Sequence, residues 1–206
     1  MNPVLFYDTE TTGLPDYKAP SESAHQPHIV QLAACLVDLD TQATISSMDV
    51  VIRPNGWIIP DDIAKIHGIT TEYAASVGIE EQTAVDMFMA LWSGPGRMRV
   101  AHNESFDARI IRIALKRFVD SEGEVLPMSD VWKSGAAECT SKLATPLCAL
   151  PPTPKMVAAG FNKFKTANLG EAYRHFMGCD FENAHSAMAD VKACMAVYFA
   201  IKGAAA

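Results

Sequence analysis

The sequence predicts an α/β fold in which a mixed sheet is flanked by helices. Apolar strand patterns come first along the chain, at about 3–9, 29–38 and 44–53, and helical patterns then alternate with short strands. That order is typical of a mixed sheet covered by helices. The 206-residue chain has the size of one domain, and it shows neither an internal repeat nor a second core. We therefore expect a single domain spanning residues 1–206.

Periodicity and turn signals place the remaining elements. Two more short strands are predicted at 97–101 and near 125–129, which gives five strands in all. Helical patterns cover six stretches, at about 60–66, 80–92, 105–118, 131–143, 167–177 and 186–201. Residues 145–165 contain four prolines, which favours an irregular proline-rich loop.

Two carboxylates stand at the end of the first predicted strand. Val4 to Tyr7 is continuously apolar, and Asp8 and Glu10 follow directly. Residues i and i+2 of a strand share a face, so the two acids are predicted to project together. Because neighbouring buried carboxylates repel each other and lose hydration, a divalent metal ion between them would compensate both costs. The alternative is an exposed strand end with hydrated acids.

Two further acids interrupt apolar helix faces. Asp107 shares its face with Ile110 and Ile111, and Asp190 falls within a stripe that includes Val191. Neither acid has a basic residue three or four positions later in the chain. A buried carboxylate without a partner is costly, so both acids are expected to require a cation from elsewhere. The alternative is a frayed helix end that admits water.

His185 completes a candidate catalytic set. It precedes Asp190 by five residues, which would place it on another side of a continuous helix. We therefore expect His185 in the loop before the helix, leaning over a site that Asp190 enters. Histidine titrates near neutrality, which suits a general base. The alternative is a surface or capping residue.

Three segments resemble the exonuclease motifs of the DEDD superfamily: DTETTG at 8–13, HNESFD at 102–107 and HSAMAD at 185–190. Their order and spacing are similar to those of the histidine-bearing branch (DEDDh). That branch includes the epsilon proofreading subunit of bacterial DNA polymerase III, ribonuclease T and the TREX nucleases. A sister branch has tyrosine where this chain has Ser186. The resemblance covers roughly residues 3–200.

The resemblance implies a fold, an activity and a cofactor. The fold is a ribonuclease-H-like sheet in which three antiparallel strands are followed by parallel ones. The activity is 3′–5′ exonucleolytic hydrolysis, which releases nucleoside 5′-monophosphates from the 3′ end of DNA. Two Mg²⁺ or Mn²⁺ ions serve as cofactors, and His185 is the general base. Four carboxylates are the metal ligands and count with His185 as catalytic residues: Asp8, Glu10, Asp107 and Asp190.

Six residues are candidates for binding the terminal nucleotides: Thr11, Leu14, Ile66, His67, Asn103 and Phe106. The resemblance implies this role for Thr11, Ile66, His67 and Phe106. Phe106 could stack on a base or belong to the core. Leu14 could wedge between two bases or plug the core. Asn103, with His102, could orient a metal ligand or phosphate, or stabilise a turn.

The net charge of −7 is unfavourable for extended duplex binding, since phosphates favour a basic surface. Four of these charges belong to the proposed metal ligands. Positive side chains also cluster locally. Those at 109–117 are interpreted as a solvated helix face, whereas the lysines at 155–165 are candidates for contacting a nucleic-acid strand. The charge is therefore compatible with gripping a few terminal nucleotides, and single-stranded DNA is the favoured partner.

The N-terminal sequence and the cysteines indicate where the protein is located in the cell. The N-terminus lacks a basic signal-peptide region, and the first apolar run is too short for a membrane span, so no membrane partner is expected. Five cysteines without metal-site spacing indicate reduced thiols in a cytoplasm. A polymerase partner is possible but not indicated, since no docking tail follows the last helix. RNA as the substrate, or a catalytically silent binding module, remains an alternative.

Overall fold

A computed structural model describes residues 1–94, 96–118, 127–182 and 184–204, and a five-stranded sheet forms its centre. The strands are β1 (Pro3–Thr11), β2 (Ile29–Asp38), β3 (Thr44–Val51), β4 (Met98–Ala101) and β5 (Ala137–Cys139). They are arranged in the order β3-β2-β1-β4-β5. β1 to β3 pair antiparallel, whereas β4 runs parallel to β1, and β5 runs parallel to β4. The predicted mixed sheet of five strands is confirmed.

Nine helices are described and cover both faces of the sheet. They are α1 (Asp61–His67), α2 (Thr71–Val77), α3 (Glu81–Trp92), α4 (Glu104–Phe118), α5 (Met128–Ser134), α6 (Thr140–Cys148), α7 (Pro154–Ala158), α8 (Leu169–Met177) and α9 (Ala187–Ala204). Among the described residues, no helix combines the length and the apolar character that crossing a bilayer requires.

The fifth strand lies at a different place from the one predicted. Of the predicted range near 125–129, residues 125 and 126 lie outside the described part, and Met128 already begins α5. The strand is β5, so the helix predicted at 131–143 is in fact the end of α5, a strand and the start of α6. Three residues are too few to display a strand periodicity, and β5 forms because its backbone pairs with β4.

The segment 145–165 is more regular than predicted. α6 continues through Pro146 to Cys148, and Pro154 occupies the first turn of α7. Proline is favourable at that position because its missing N–H would have no partner within the helix. Thr153 caps α7 by accepting a hydrogen bond from the Met156 amide at 3.2 Å. The prediction of an irregular loop is therefore wrong for the end of α6 and for α7, and correct for residues 149–153 and 159–165.

The two faces of β1 pack against different helices. Tyr7 lies edge-on to Trp132 of α5 in the larger core, which also contains α3 and α4. Phe6 points the opposite way and contacts Tyr198 of α9, with ring centroids 5.2 Å apart. Odd-numbered residues of the strand therefore face α3 to α5, and even-numbered residues face α9.

A small satellite core supports α1 and α2 beside the sheet. Its buried members are Val30, Ile59, Ile69 and Ala74. α1 itself contains no buried residue. Gly78, directly after α2, lies so close to β3 and the residues after it that an added Cβ would sit 2.4 Å from the Arg53 amide nitrogen. Only glycine fits there, so this close approach joins the helical pair to the edge of the sheet.

Candidate active site

Asp8 and Glu10 extend the even-numbered row of β1 that contains Phe6. Both acids are partly exposed, whereas Thr9 and Thr11 on the opposite row are buried. The two carboxylates therefore share one face at the carboxyl end of the strand, as predicted from the two-residue period. That face is the one covered by α9.

Asp107 reaches the same region from the first turn of α4 and is almost completely buried. One of its oxygens accepts hydrogen bonds from the Thr9 amide at 3.0 Å and from the Thr9 hydroxyl at 2.7 Å. These bonds hold the carboxylate against the end of β1. Thr9 was missed as a positioning residue, because a threonine between two acids looks like an ordinary strand residue.

His185 and Asp190 come from the start of α9. Asp190 lies in the first turn, and its amide donates to the Ser186 carbonyl at 3.0 Å. His185 precedes the helix, is exposed, and has a left-handed backbone with φ of 68°. Its predicted position in the loop before the helix is confirmed. The turn it makes brings the ring back towards Asp190 and Glu10.

Gln31 of β2 positions the start of α9. Its side-chain oxygen accepts a hydrogen bond from the Ala187 amide at 3.2 Å, and its nitrogen donates to Asp49 at 2.7 Å. The first turn of a helix has amides without helical partners, and Gln31 satisfies one of them. Sequence reasoning missed this residue too, although a glutamine inside an otherwise apolar strand was a visible signal.

The four carboxylates perturb one another strongly. Burial, followed by the charges of Asp107, Asp190 and Glu10, raises the pKa of Asp8 well above its usual range. Burial and the charges of Asp190 and Asp107 raise the pKa of Glu10 to about 8. Burial raises the pKa of Asp107 to about 7, although the bonds from Thr9 act in the opposite direction. Burial also raises the pKa of Asp190. The cluster thus carries more negative charge than its surroundings stabilise.

This donor set fits a divalent cation. Ligand atoms of Glu10, His185 and Asp190 all lie within 4.8 Å of one another. Within the described residues, the Oδ1 atom of Asp190 is buried and has no hydrogen-bond partner. A buried acceptor without a donor is costly, and a cation would satisfy it. The charge of Asp8 interacts with those of Asp107, Asp190 and Glu10. Asp8 and Asp107 would therefore complete a carboxylate-rich site suited to Mg²⁺ or Mn²⁺.

We expect Thr9→Val to weaken Mn²⁺ binding about tenfold, because Asp107 loses a hydrogen bond made to its charged form. Valine preserves the shape of the side chain, so the fold should remain. Thr9→Ser is the matched control, since it keeps the hydroxyl and should bind like the parent. Isothermal titration calorimetry measures both variants. Equal affinity in Thr9→Val and the parent would show that the hydroxyl does not position Asp107.

His67 is brought to the edge of this site at the end of α1. Burial and the neighbouring His185 lower its pKa, while the Thr11 backbone acts in the opposite direction. Its Nδ1 accepts a hydrogen bond from the Ile69 amide at 3.1 Å, which fixes the ring. Ile66, one residue earlier, is about half exposed. The structure therefore brings Thr11 and His67 together beside the carboxylates, with an exposed apolar side chain adjacent.

The other predicted substrate contacts occupy different environments. Leu14 is 84% exposed, which rules out the alternative that it plugs the core. Phe106 is half-buried and packs against the larger core, so its ring is only partly available to a base. Asn103 is exposed in a left-handed turn, with φ of 67°, and its carbonyl accepts a bond from the Phe106 amide. The Thr11 hydroxyl donates to the Gly13 carbonyl at 2.8 Å and so stabilises the turn after β1.

His102 is structural in this fold. Its ring nitrogens contact the Thr140 hydroxyl at 2.9 Å and the Ala167 carbonyl at 3.1 Å. Burial lowers its pKa to about 4, so the ring is neutral around pH 7. These two contacts favour the structural alternative for His102 over a direct contact with a metal ligand or phosphate. The ring instead ties the end of β4 to α6 and to the segment that precedes α8.

A partly buried carboxylate cluster with a loop histidine, at the end of the central strand of a mixed sheet, is an arrangement suited to a metal-dependent nuclease. The family comparison agrees: the family model RNase_T, described as Exonuclease, matches residues 5–198. The chain belongs to this exonuclease family and, by its motifs, to the DEDDh branch of 3′–5′ exonucleases.

Solved structures with the same fold include bacterial exonucleases I. The Escherichia coli enzyme in complex with a dT13 oligonucleotide is 18% identical, with a TM-score of 0.71 over 98% of this chain and 41% of that one. The zinc-bound form of its single-stranded DNA complex is also 18% identical, with a TM-score of 0.70 over 98% of this chain and 41% of that one. Exonuclease I from Methylocaldum szegediense is 20% identical, with a TM-score of 0.69 over the same two fractions. The likeness shows a ribonuclease-H-like exonuclease fold.

This chain spans about 41% of the length of the exonuclease I chains it matches. A comparison with curated protein sequences gave no match.

Proposed function

We propose that this chain is a metal-dependent 3′–5′ exonuclease that releases nucleoside 5′-monophosphates from the 3′ ends of DNA. The observation that carries the proposal is the partly buried carboxylate cluster with His185 beside it. Ligand atoms of His185, Glu10 and Asp190 lie within 4.8 Å of one another. Asp8 and Asp107 raise the local negative charge further.

Asp8, Glu10, Asp107 and Asp190 would hold two Mg²⁺ or Mn²⁺ ions. Bound ions of this kind stabilise the charge that develops on the attacking and leaving oxygens in phosphodiester hydrolysis. The protein contributes a fixed arrangement: Thr9 holds Asp107, and Gln31 holds the helix that carries Asp190. Prepositioned ligands reduce the reorganisation that the reaction would otherwise require.

We assign to His185 the role of taking the proton from the attacking water. It is exposed in its loop, so water reaches it, and a ring nitrogen lies within 4.8 Å of carboxylate oxygens of Glu10 and Asp190. Charge interaction between His185 and Asp190 supports this assignment, since it lowers the pKa of Asp190. Positioned general bases of this kind are most effective when they titrate near the working pH.

Single-stranded DNA is the proposed substrate. Thr11 and His67 line the edge of the site, and the exposed Leu14 and Ile66 offer apolar surface to unstacked bases. The relatives solved with dT13 and dA16 oligonucleotides support a single strand, although they are longer proteins. A cytoplasmic location belongs to the same proposal, and it rests on the five unpaired cysteines.

The test is digestion of a 5′-labelled single strand with Mg²⁺. We expect progressive shortening from the 3′ end, release of 5′-monophosphates, no activity in chelator, and protection when the 3′ end is blocked. Matched DNA and RNA strands, single and double, identify the preferred polymer. Digestion of circular single strands, or unchanged activity in chelator, contradicts the exonuclease proposal. Metal-dependent binding without any cleavage would indicate a silent module.

A further inference from the structure

One segment differs in charge from the rest of the protein. Between Glu138 and Glu171 the chain contains no acidic residue and four lysines, whereas the whole chain has a net charge of −7. Lys165 forms an ion pair with Glu171 and is therefore not free to contact a strand. Within the described residues no ion pair is recorded for Lys142 or Lys163, so their charges face solvent without a partner.

The same segment exposes aromatic rings. Phe161 is 62% exposed and Phe164 is 51% exposed, and they flank Lys163 closely in the sequence. Leaving a phenylalanine ring in contact with water is unfavourable. Two exposed rings near unpaired lysines therefore form an apolar and positively charged surface of the kind that marks an interaction site. The backbone here is well organised, since the Phe161 amide donates to the Met156 carbonyl at 2.8 Å and the Lys165 amide donates to the Leu150 carbonyl at 3.0 Å.

These side chains surround a groove. A cavity of about 510 Å³ is lined by Lys142, Thr145, Pro146, Asn162, Lys163 and Phe164. The first two turns of α6 form one wall, and residues 162–164 form the other. We call these residues, together with Phe161, the basic–aromatic groove.

The groove starts at the same edge of the sheet as the carboxylate site. α6 begins directly after β5, whose carboxyl end is at the same edge of the sheet as the ends of β4 and β1 because the three strands are parallel. His102 bonds both Thr140, in the first turn of α6, and Ala167, just after the groove segment. In the strand order, only β4 separates β5 from β1. Neighbouring strands are about 4.8 Å apart, so β5 lies about 10 Å from β1.

We propose that the basic–aromatic groove binds the single strand upstream of the nucleotides held at the carboxylates. Lysines that follow phosphates, combined with rings on which bases stack, are the arrangement that single-stranded polynucleotides require. Charge selects this occupant, because the groove is positive in an otherwise acidic protein. The inference rests on the proposed exonuclease function and identifies where the longer part of the substrate lies.

The test compares a long oligothymidylate with a trinucleotide that ends before the groove. Binding is measured by fluorescence anisotropy in an Asp190→Asn background, which prevents digestion. We expect the pair Phe161→Ser and Phe164→Ser to lower the preference for the long strand about tenfold or more, since both rings on which bases could stack are lost. The pair Lys142→Gln and Lys163→Gln should reduce the slope of log affinity against log salt by about 1 to 1.5.

Ile45→Ser is the matched control. Ile45 is 46% exposed near the start of β3, at the opposite end of the sheet, so its loss should not alter the preference for length. Photo-crosslinking from 5-iodouracil at inner positions of the strand should label residues 161–164 in the parent, a readout that does not depend on the variants folding. Circular dichroism checks the fold of each variant.

The outcomes separate this inference from the proposed function. If the parent hydrolyses neither substrate and binds neither, the exonuclease proposal fails. If the parent hydrolyses both, while the phenylalanine and lysine variants retain the parental preference and crosslinks avoid the segment, the groove proposal is overturned. The exposed rings would then face another protein surface instead.

Discussion

Replacing Asp8 with Asn is expected to abolish hydrolysis and also to stabilise the metal-free protein at neutral pH. Burial and three neighbouring acids raise the pKa of Asp8 well above its usual range, so its charged form destabilises the fold when no cation is bound. Asparagine has nearly the same shape and no charge. Each unit by which folding raises a carboxyl pKa corresponds to about 1.4 kcal/mol of lost stability once the group is charged. Each 1 kcal/mol regained by removing that charge should raise the melting temperature by about 2–4 °C in a protein of this size.

The direction of the pH dependence follows from the raised pKa values. A carboxyl group whose pKa is higher in the folded protein than in the unfolded chain favours folding while it is protonated. That contribution is lost as the pH rises from the ordinary pKa to the folded one, which for Glu10 means from 4.5 to about 8. In chelator, the parent should therefore become less stable over this range, and Asp8→Asn should lose less.

Thermal unfolding in chelator, followed from pH 4 to pH 8, measures the effect. With excess Mn²⁺ the order should reverse, because only the parent gains stability from a tightly bound ion. Asp86→Asn, at an exposed acid of α3, is the control and should follow the parent in both conditions. A lower melting temperature for Asp8→Asn than for the parent at pH 8 in chelator would contradict the account of the cluster.

Replacing His185 with Asn should lower kcat about 10²–10⁴-fold, the usual contribution of a general base. The choice of asparagine follows from the backbone, since His185 is left-handed with φ of 68°. Asparagine tolerates that conformation, whereas most other residues pay about 1–2 kcal/mol for it. His185→Asn therefore removes the base and preserves the loop, while His185→Ala removes the base and also strains the loop.

The two variants together separate catalysis from structure. If His185 is the base, both should lose kcat to a similar extent, KM should change little, and the acid limb of the kcat profile should move or disappear in both. Steady-state kinetics across pH measures all three quantities. If only His185→Ala is impaired, the histidine serves to shape the loop. Near-parental kcat with an unchanged limb in both variants would exclude a role in proton transfer.

The sequence predicted the large elements of the fold because their patterns are long. The first half of β1 and almost all of β2 are apolar, and α4 carries a clear apolar stripe. Short elements escaped detection for the opposite reason. β5 has three residues, and α2 buries only Ala74, so neither has a periodicity strong enough to recognise. Tertiary pairing and the satellite core, which no local pattern encodes, decide their conformation.

The candidate site was visible in the sequence because its acids interrupt apolar patterns. Asp8, Asp107 and Asp190 each occupy a position where burial was expected and charge was not. The residues that orient them were not visible, since Thr9 conforms to its strand and its bond to Asp107 joins positions 98 residues apart. The groove was anticipated only as a set of lysines, of which the structure pairs Lys165 with an acid.

The satellite core under α1 and α2 has a consequence for how substrate is exchanged. His67 belongs to a helix that buries no residue and depends on this small core, whereas the carboxylates stand on the sheet. Regions with few buried contacts open locally at a lower free energy than the whole protein. α1 can therefore move away from the site while β1 and its carboxylates stay in place. In the proposed exonuclease, this opening would let the residues that we propose bind the terminal nucleotide release it in each cycle of shortening.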